Sequence, residues 1–486
     1  MTKTDTADAA PAPAPVPEPR RFETTHDGTF HGTAVSYRCV ADETHVQDKD
    51  GKPRASVFSF SYLADAAEPH ARPVTFVFNG GPGSSSMWLH MGAIGPRAIR
   101  LPGDGTLQGA GPYDVDANAL CCLDLTDLVF IDPPGTGFSR MLGSYKPEDG
   151  WGLDVDAEIV ADFIKAWMSK HRRWASPRFL CGESYGTTRA VSVAGKMAGG
   201  LAGVAFNGIA LISMILDFHT ARFERGNAVP DVCFLPTYAM TALHHGKIEP
   251  KPADRGAWLD DIRRFAQQTY LPALFAGNRL GDAEVAAIAE QLAGYTGLPA
   301  AWLRRTRLRI DAGRFRKELL RDGGRTVGRF DGRYTGVDYD AVGELPDADP
   351  SSYAIDSAYV TAMNDHLTRQ LGVDWDRTYV PFNREIGTKW DWTGPKKEGA
   401  PRWPGYVNVA PMLGTLQREN PRLRVLVANG LYDMATPFFA AETTVAGNGI
   451  DASRVRMTYY EAGHMMYLHE PSFAALVQDL RGLIAG

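Results

Sequence analysis

Apolar residues along the chain fall into short runs of strand length that alternate with longer amphipathic segments. The first two runs, 35–39 and 57–62, alternate apolar and polar positions, as antiparallel strands with one covered face do. The later runs are continuously apolar, which is typical of parallel strands covered on both faces. These later runs lie at 74–78, 128–131, 178–181, 209–215, 424–428 and 456–460. The alternation of strand and helix patterns predicts an α/β fold with a doubly wound, mostly parallel sheet.

The helical patterns divide into those that accompany the sheet and those that interrupt it. Residues 154–171 carry one apolar stripe behind a candidate N-cap, Asp154, and residues 471–484 form the last amphipathic helix. The alternation of strand and helix patterns breaks off over 217–420, which instead holds helical patterns followed by loop-rich sequence. The helical patterns of this span lie at 257–274, 282–292 and 300–320. We interpret 217–420 as an inserted, largely helical cap, and the two flanking parts, 23–216 and 421–486, as one catalytic domain.

Composition and charge narrow the functional classes. The 486 residues contain 51 Lys and Arg against 57 Asp and Glu, a formal net charge of −6, so we expect neither nucleic acid nor a membrane surface as a partner. Five cysteines exclude a disulfide scaffold. Residues 1–22 are rich in Ala and Pro and lack the apolar core of a secretory signal, which predicts a disordered tail and a cytoplasmic protein.

A candidate nucleophile lies between the apolar run 178–181 and a helix-like stretch, 187–197. Residues 182–186 read GESYG and satisfy the pattern G-x-S-x-G, which alone is a weak signal. In the order strand, turn, helix, the flanking glycines permit a sharp turn that presents the Ser184 hydroxyl above the sheet. The sequence therefore predicts Ser184 as the nucleophile, and the alternative is a plain strand-helix turn that contains a serine.

A serine nucleophile requires a histidine base and an acid that orients it. Asp433 and His464 each follow one of the last two strands, in the chain order Ser, Asp, His of α/β-hydrolases. Two rivals exist, because Asp217 also follows a strand and His469 stands five residues beyond His464. We predict Asp433 and His464 as the partners of Ser184.

A second glycine-rich turn follows the run 74–78. Residues 78–86 read FNGGPGSSS, and consecutive glycines allow backbone amides to approach a tetrahedral oxyanion. The predicted donors are the backbone N–H groups of Gly81 and Tyr185. A phosphate-binding loop is the alternative, but no Lys-Ser or Lys-Thr pair follows the glycines and Pro82 removes a donor.

At these residues the sequence resembles the serine carboxypeptidase family, the cathepsin A-like branch of the α/β-hydrolases. Four blocks carry the resemblance: NGGPGSS at 79–85, DPPGTGFS at 132–139, GESYG at 182–186 and GHM at 463–465. The chain is identified as a bacterial-type member of that family that lacks a signal peptide. The resemblance implies a C-terminal exopeptidase acting on peptides through an acyl-enzyme, without a metal or other cofactor. It also implies that Asn79 and Glu183 bind the terminal carboxylate of the substrate, in a network that favours acidic pH.

Three positions depart from the family pattern. A second glutamate of the carboxylate network is replaced by Ala93, a tryptophan by Val77, and a cysteine by Ser84. The first two departures favour an alternative function, an esterase or acyltransferase that uses the same triad on a non-peptide acyl group. Arg97 or Arg189 is a candidate replacement for the lost carboxylate contact. Side-chain specificity and oligomeric state are not predicted.

Overall fold

The computed structural model describes residues 16–199, 203–393 and 405–486. The strands of these ranges are β1 (Arg21–Phe30), β2 (Thr33–Gln47), β3 (Pro53–Ala64), β4 (Val74–Phe78), β5 (Arg97–Ile99), β6 (Val115–Ala117), β7 (Asp127–Asp132), β8 (Arg140–Met141), β9 (Arg178–Glu183), β10 (Gly208–Ile212), β11 (Thr326–Val327), β12 (Thr335–Gly336), β13 (Arg424–Gly430) and β14 (Val455–Tyr460). The α-helices are α1 (Leu153–Lys170), α2 (Tyr185–Met197), α3 (Val229–His244), α4 (Arg255–Phe265), α5 (Leu271–Ala276), α6 (Asp282–Thr296), α7 (Ala300–Arg305), α8 (Ala312–Glu318), α9 (Pro350–Tyr353), α10 (Asp356–Asp365), α11 (Arg384–Lys389), α12 (Ala410–Glu419), α13 (Phe438–Gly447) and α14 (Glu470–Ala485).

A mixed sheet in the order β1-β2-β3-β7-β4-β9-β10-β13-β14 organises the molecule, with β8 paired to β3. The strands β1, β2, β3 and β7 pair antiparallel, and every pair from β7 to β14 along the sheet is parallel. All residues of β4, β7 and β10 are buried, as their continuous apolar runs predict. The predicted α/β-hydrolase fold class is confirmed.

The parallel strands place several loops at one edge of the sheet. The carboxyl ends of β4, β9, β13 and β14 point the same way, so the loops that follow them meet at that edge. Register supports this, because Ile212 at the end of β10 pairs with Glu183 of β9 on one side and Ala428 of β13 on the other. All candidate catalytic residues lie in these loops.

Two local predictions differ from the structure. Strand β1 begins at Arg21, so residues 21–22 belong to the sheet and not to the predicted tail; residues 1–15 lie outside the described residues. The sequence pattern does not predict β1, because an edge strand of an antiparallel sheet leaves one face in solvent and carries polar residues there. Helix α1 begins at Leu153 with Gly152 as N-cap, and Asp154 pairs with Lys196 at 2.7 Å instead.

The insertion between β10 and β13 divides into parts with different partners. Helices α3 to α8 surround a core of their own, which α13 also joins. In contrast, α10 packs into the core on one face of the sheet, and α12 packs with α2 on the other face. Because Leu413 and Leu416 are buried there, α12 belongs to the catalytic domain, although it falls within the predicted cap. None of the helices in the described ranges is long and apolar enough to cross a membrane.

Candidate active site

Ser184 lies at the sharp turn between β9 and α2. Its backbone has φ 60° and ψ −129°, a conformation that non-glycine residues rarely adopt. A Cβ on Gly182 would lie 2.1 Å from the carbonyl oxygen of Gly186, so the turn closes only with glycine there. Residues 179–183 and 185–194 are buried, whereas Ser184 is half-buried. The turn therefore presents the serine hydroxyl outward from a rigid base.

Asp433 and His464 form a direct pair in the loops after β13 and β14. The distance between His464 Nδ1 and Asp433 Oδ2 is 2.7 Å, and both side chains are buried. Because Nδ1 faces the carboxylate, Nε2 is the ring atom that can take up a proton from a nucleophile. The rivals have local roles: Asp217 caps the turn at His219, and His469 contacts Ser472 Oγ at 2.8 Å.

Three donors from its own loop orient the Asp433 carboxylate. Oδ1 accepts from the backbone N–H of Ala435 at 2.8 Å and of Thr436 at 3.0 Å. The Thr436 hydroxyl donates to Oδ2 at 2.7 Å, beside the histidine contact. The carboxylate is therefore fixed before any substrate binds, which electrostatic preorganisation requires.

The charge of Asp433 governs the protonation of His464. Burial of the ring lowers the pKa of His464, but the charge and hydrogen bond of Asp433, together with the charge of Glu183, raise it, and the net effect is a pKa above the ordinary histidine value. The ring also packs against Phe330 of the insertion, with centroids 5.1 Å apart. This environment stabilises the imidazolium that a general base becomes during reaction.

Neighbouring backbone contacts connect the serine turn to the histidine loop. The Ser184 amide donates to the carbonyl of Ile212 at 3.0 Å, and the hydroxyl of the next residue, Ser213, donates to the carbonyl of His464 at 2.7 Å. Within the described residues, Ser184 Oγ itself makes no hydrogen bond. Catalytic hydrogen bonds in unliganded enzymes are often long and tighten when substrate binds. The structure thus brings Asp433 and His464 together and places Ser184 on the same sheet edge.

The glycine loop after β4 lies directly against the serine turn. A Cβ on Gly80 would be 2.5 Å from the Tyr185 amide nitrogen and 2.7 Å from the Glu183 carbonyl oxygen. Gly81 has φ +101°, and its amide donates no hydrogen bond within the described part of the chain. The Tyr185 amide is the first of α2 and has no partner within the helix. Two amides suited to an oxyanion are therefore left unused beside Ser184.

Gly80→Ala tests the packing of this loop. We expect the turnover number to fall by about 100-fold or more, as it does when one oxyanion donor is displaced, because the new methyl group collides with the backbone of the serine turn. Gly294→Ala in α6 is the matched control, since no atom lies within 4 Å of its added Cβ. The turnover number for ester hydrolysis and the thermal unfolding midpoint are measured for both variants. A turnover number of Gly80→Ala within twofold of that of the unsubstituted protein would show that the glycine loop is not part of the active site.

The two predicted substrate-binding residues, Asn79 and Glu183, are both buried beside the serine turn. Burial raises the pKa of Glu183 most, the charges and hydrogen-bonding groups of His464, Tyr467 and Asn79 offset part of this rise, and the resulting pKa is about 7. Asn79 Oδ1 accepts from the Leu89 amide at 3.0 Å, which fixes the amide plane. Glu183 is therefore a carboxyl that changes charge near neutral pH beside the nucleophile.

Tyr359 of α10 and Tyr467 adjoin Glu183, and sequence reasoning missed both. Each is buried. In the described part of the chain the Tyr359 phenol has no hydrogen-bond partner, whereas the Tyr467 phenol lies within reach of the Glu183 carboxyl. Burial raises the pKa of both phenols and the Glu183 carboxylate raises it further, so both remain protonated donors. No motif marks Tyr359, because Tyr359 lies about 175 residues from Glu183 in sequence. The nearness of Tyr467 to the GHM block is the one available signal.

The arginines considered as replacements are engaged elsewhere. Arg189 pairs with Asp156 at 2.7 Å and donates to the Asn79 carbonyl at 2.5 Å, and its side chain is buried. Arg97 donates to the Val115 carbonyl at 2.6 Å. Arg189 therefore holds the Asn79 loop in place through a hydrogen bond to the Asn79 backbone carbonyl.

Fold and site together define an α/β-hydrolase with a serine elbow and an Asp-His pair. Residues 46–197 match the family model described as serine carboxypeptidase. This matched segment contains the glycine loop and the serine turn and is similar to serine carboxypeptidases, whereas Asp433 and His464 lie outside the match.

Individual proteins similar to this chain are also named as carboxypeptidases or carboxypeptidase-like. The chain is 30% identical over 131 residues to serine carboxypeptidase-like 5 of Arabidopsis thaliana, covering 26% of this chain and 28% of that protein. It is 31% identical over 142 residues to the pheromone-processing carboxypeptidase KEX1 of Puccinia graminis f. sp. tritici, covering 28% and 19%. The chain thus spans less than a third of the length of these curated relatives. A crystal structure of a prohormone-processing carboxypeptidase from Saccharomyces cerevisiae shares the fold, with TM-score 0.53, 15% identity and 91% of both chains covered.

Proposed function

We propose that this protein is a serine carboxypeptidase that releases C-terminal residues from peptides. The observation that carries the proposal is the Asp433–His464 pair on the same sheet edge as the strained Ser184 turn, beside two unused backbone amides. The match of residues 46–197 to the serine carboxypeptidase family model supports this reaction class.

The proposed reaction uses each group in turn. Ser184 Oγ attacks the last peptide carbonyl carbon while His464 Nε2 takes the hydroxyl proton, and the Gly81 and Tyr185 amides bind the resulting oxyanion. The C–N bond then breaks, and His464 returns the proton to the leaving amine, which departs as a free amino acid. Water, deprotonated by His464, attacks the acyl-enzyme and releases the shortened peptide and the serine.

Recognition of the substrate terminus is assigned to Asn79 and Glu183. A carboxyl group can donate a hydrogen bond to a carboxylate only while it is protonated, and the raised pKa of Glu183 keeps it protonated up to about pH 7. The missing second glutamate is replaced by Ala93, which is buried and carries no polar side chain. We propose that the phenols of Tyr359 and Tyr467, which remain protonated, act as the hydrogen-bond donors in place of that glutamate.

Peptide binding is expected to weaken as pH rises through the pKa of Glu183. Below about 7 the protonated group donates to the substrate carboxylate, and above it two negative charges repel, so KM should rise by about tenfold per pH unit. Glu183→Gln keeps a neutral donor at every pH, and its peptide KM should stay flat. KM for a blocked dipeptide and for a simple ester, measured from about pH 5 to pH 8, checks this. A peptide KM that does not change over this range would exclude Glu183 from carboxylate recognition.

An esterase or acyltransferase with the same triad is the second candidate, favoured by the absent acid at Ala93. A panel of N-blocked dipeptides, the corresponding C-terminal amides and simple esters separates the two. A carboxypeptidase releases single amino acids from the free-acid peptides and loses this activity on the amides. Ester turnover without release of amino acids from any peptide would support the alternative.

We propose a cytoplasmic location and a bacterial-type origin as finer parts of this assignment. Support for the location comes from the five cysteines, which are all buried and unpaired within the described residues, as in proteins of reducing compartments. Cell fractionation with an antibody to the native protein tests the location, and recovery in the medium would contradict it.

A further inference from the structure

We propose that the hairpin turn of the insertion, residues 329–333, is a strap that holds both the acid loop and the base loop, and that Asp331 is its positioning residue. The strap is the turn between β11 and β12. The inference rests on the proposed function, since it concerns the reactivity of Ser184 through His464.

The strap first contacts the loop that carries Asp433. The amide of Met434, the residue after Asp433, donates to the Arg329 carbonyl at 3.0 Å. The amide of Gly332 donates to the carbonyl of Tyr432, the residue before Asp433, at 2.9 Å. The acid is therefore bracketed on both sides by backbone hydrogen bonds to the strap.

The strap also contacts the loop that carries His464. The His464 amide donates to the Phe330 carbonyl at 2.6 Å, and the Phe330 ring packs against the imidazole. The amide of Gly463 donates to Asp331 Oδ2 at 3.0 Å. Arg333 donates to the Glu461 carbonyl at 2.9 Å, at the start of the same loop. A single segment thus fixes the relative position of acid and base.

Asp331 is the side chain on which the strap depends. Besides the Gly463 amide, it binds the Arg333 amide and guanidinium, with Oδ1 at 3.0 Å from both the amide nitrogen and Nε, and Oδ2 at 2.6 Å from the terminal nitrogen. The Asp331 side chain is buried. Its loss would leave the Gly463 amide without its acceptor and the largely buried Arg333 guanidinium with the Glu461 carbonyl but no carboxylate.

The close contact with the strap explains why the GHM block begins with glycine, Gly463. A Cβ on Gly463 would lie 2.2 Å from the Phe330 carbonyl oxygen and 2.5 Å from the Asp331 Cβ. The strap therefore approaches the base loop so closely that only glycine fits there. The insertion does more than cover the sheet, because its hairpin forms part of the support of the catalytic base.

Asp331→Ala tests the strap, with Asp331→Asn as the variant that retains one acceptor oxygen. We expect Asp331→Ala to lower both the turnover number and the rate of fluorophosphonate labelling of Ser184 by about 100-fold, as a small misplacement of catalytic groups does. KM of Asp331→Ala for a blocked dipeptide should change by less than about threefold. The turnover number and labelling rate of Asp331→Asn should lie between those of Asp331→Ala and those of the unsubstituted protein. The split between turnover number and KM distinguishes positioning from damage to the binding site.

The matched control is Asp338→Asn in the same insertion. Asp338 pairs with Lys317 at 2.6 Å, and both side chains of that pair are nearly fully buried. We expect Asp338→Asn to lower the thermal unfolding midpoint without changing the rate at which Ser184 of the folded protein is labelled. Labelling of folded Asp331→Ala at the unsubstituted rate would overturn the strap, as would equal losses in the control. Absence of labelling in the unsubstituted protein would instead overturn the proposed function.

Discussion

Ser184→Ala is expected to abolish peptide and ester hydrolysis, with a fall in turnover number of about 10⁴-fold or more. The substitution removes the oxygen that forms the acyl bond, and the other residues of the turn offer no replacement nucleophile. The residual rate should come only from the backbone amides of Gly81 and Tyr185 and from substrate binding. Fluorophosphonate labelling followed by peptide mass analysis should locate the label on Ser184 and find none in the variant.

Ser192→Ala is the matched control for this substitution. Ser192 lies on the same helix, α2, and its buried hydroxyl has no hydrogen-bond partner in the described part of the structure. Removing that hydroxyl should therefore leave activity unchanged. Full hydrolytic activity in Ser184→Ala would show that a different residue is the nucleophile and would exclude the proposed mechanism.

Asp433→Asn is expected to reduce the turnover number by about 10⁴-fold with little change in fold. The carboxylate holds His464 with its Nδ1–H toward Oδ2 at 2.7 Å and stabilises the imidazolium formed when Ser184 loses its proton. A neutral amide removes that charge. An amide NH2 group turned toward Nδ1 would also favour the tautomer that protonates Nε2, which cannot then act as base. Because Asp433 raises the pKa of His464, the acid limb of the remaining activity should move to lower pH.

The rivals from the sequence provide the controls for Asp433→Asn. Among the described residues, the Asp217 carboxylate accepts one local hydrogen bond, from the His219 amide at 3.0 Å, so Asp217→Asn should retain activity. His469→Ala should do the same, since the His469 ring contacts Ser472 Oγ. Loss of activity in Asp217→Asn together with retention in Asp433→Asn would reverse the assignment of the acid.

Local sequence determined the strands and the immediate neighbours of the nucleophile. The continuous apolar runs 74–78 and 178–181 correspond to β4 and β9, because strands buried on both faces have no room for polar side chains. The glycines at 80–81 and at 182 and 186 accompany tight turns and close backbone approaches, which leave a mark in sequence because only glycine lacks a Cβ. The order of Ser184, Asp433 and His464 after successive strands also follows from the parallel sheet.

Tertiary structure alone decided how the insertion contributes to the site. Asp331 lies about 130 residues from Gly463, and Tyr359 about 175 from Glu183, so no spacing rule connects them. Their contacts are single hydrogen bonds and side-chain approaches, which any polar or aromatic residue can make and which impose no local pattern. Helix α12 is similar: its apolar stripe indicates a buried face, but only the packed molecule shows that this face covers α2 and not the cap. A period along the chain reveals that a side chain is covered, and the folded chain determines what covers it.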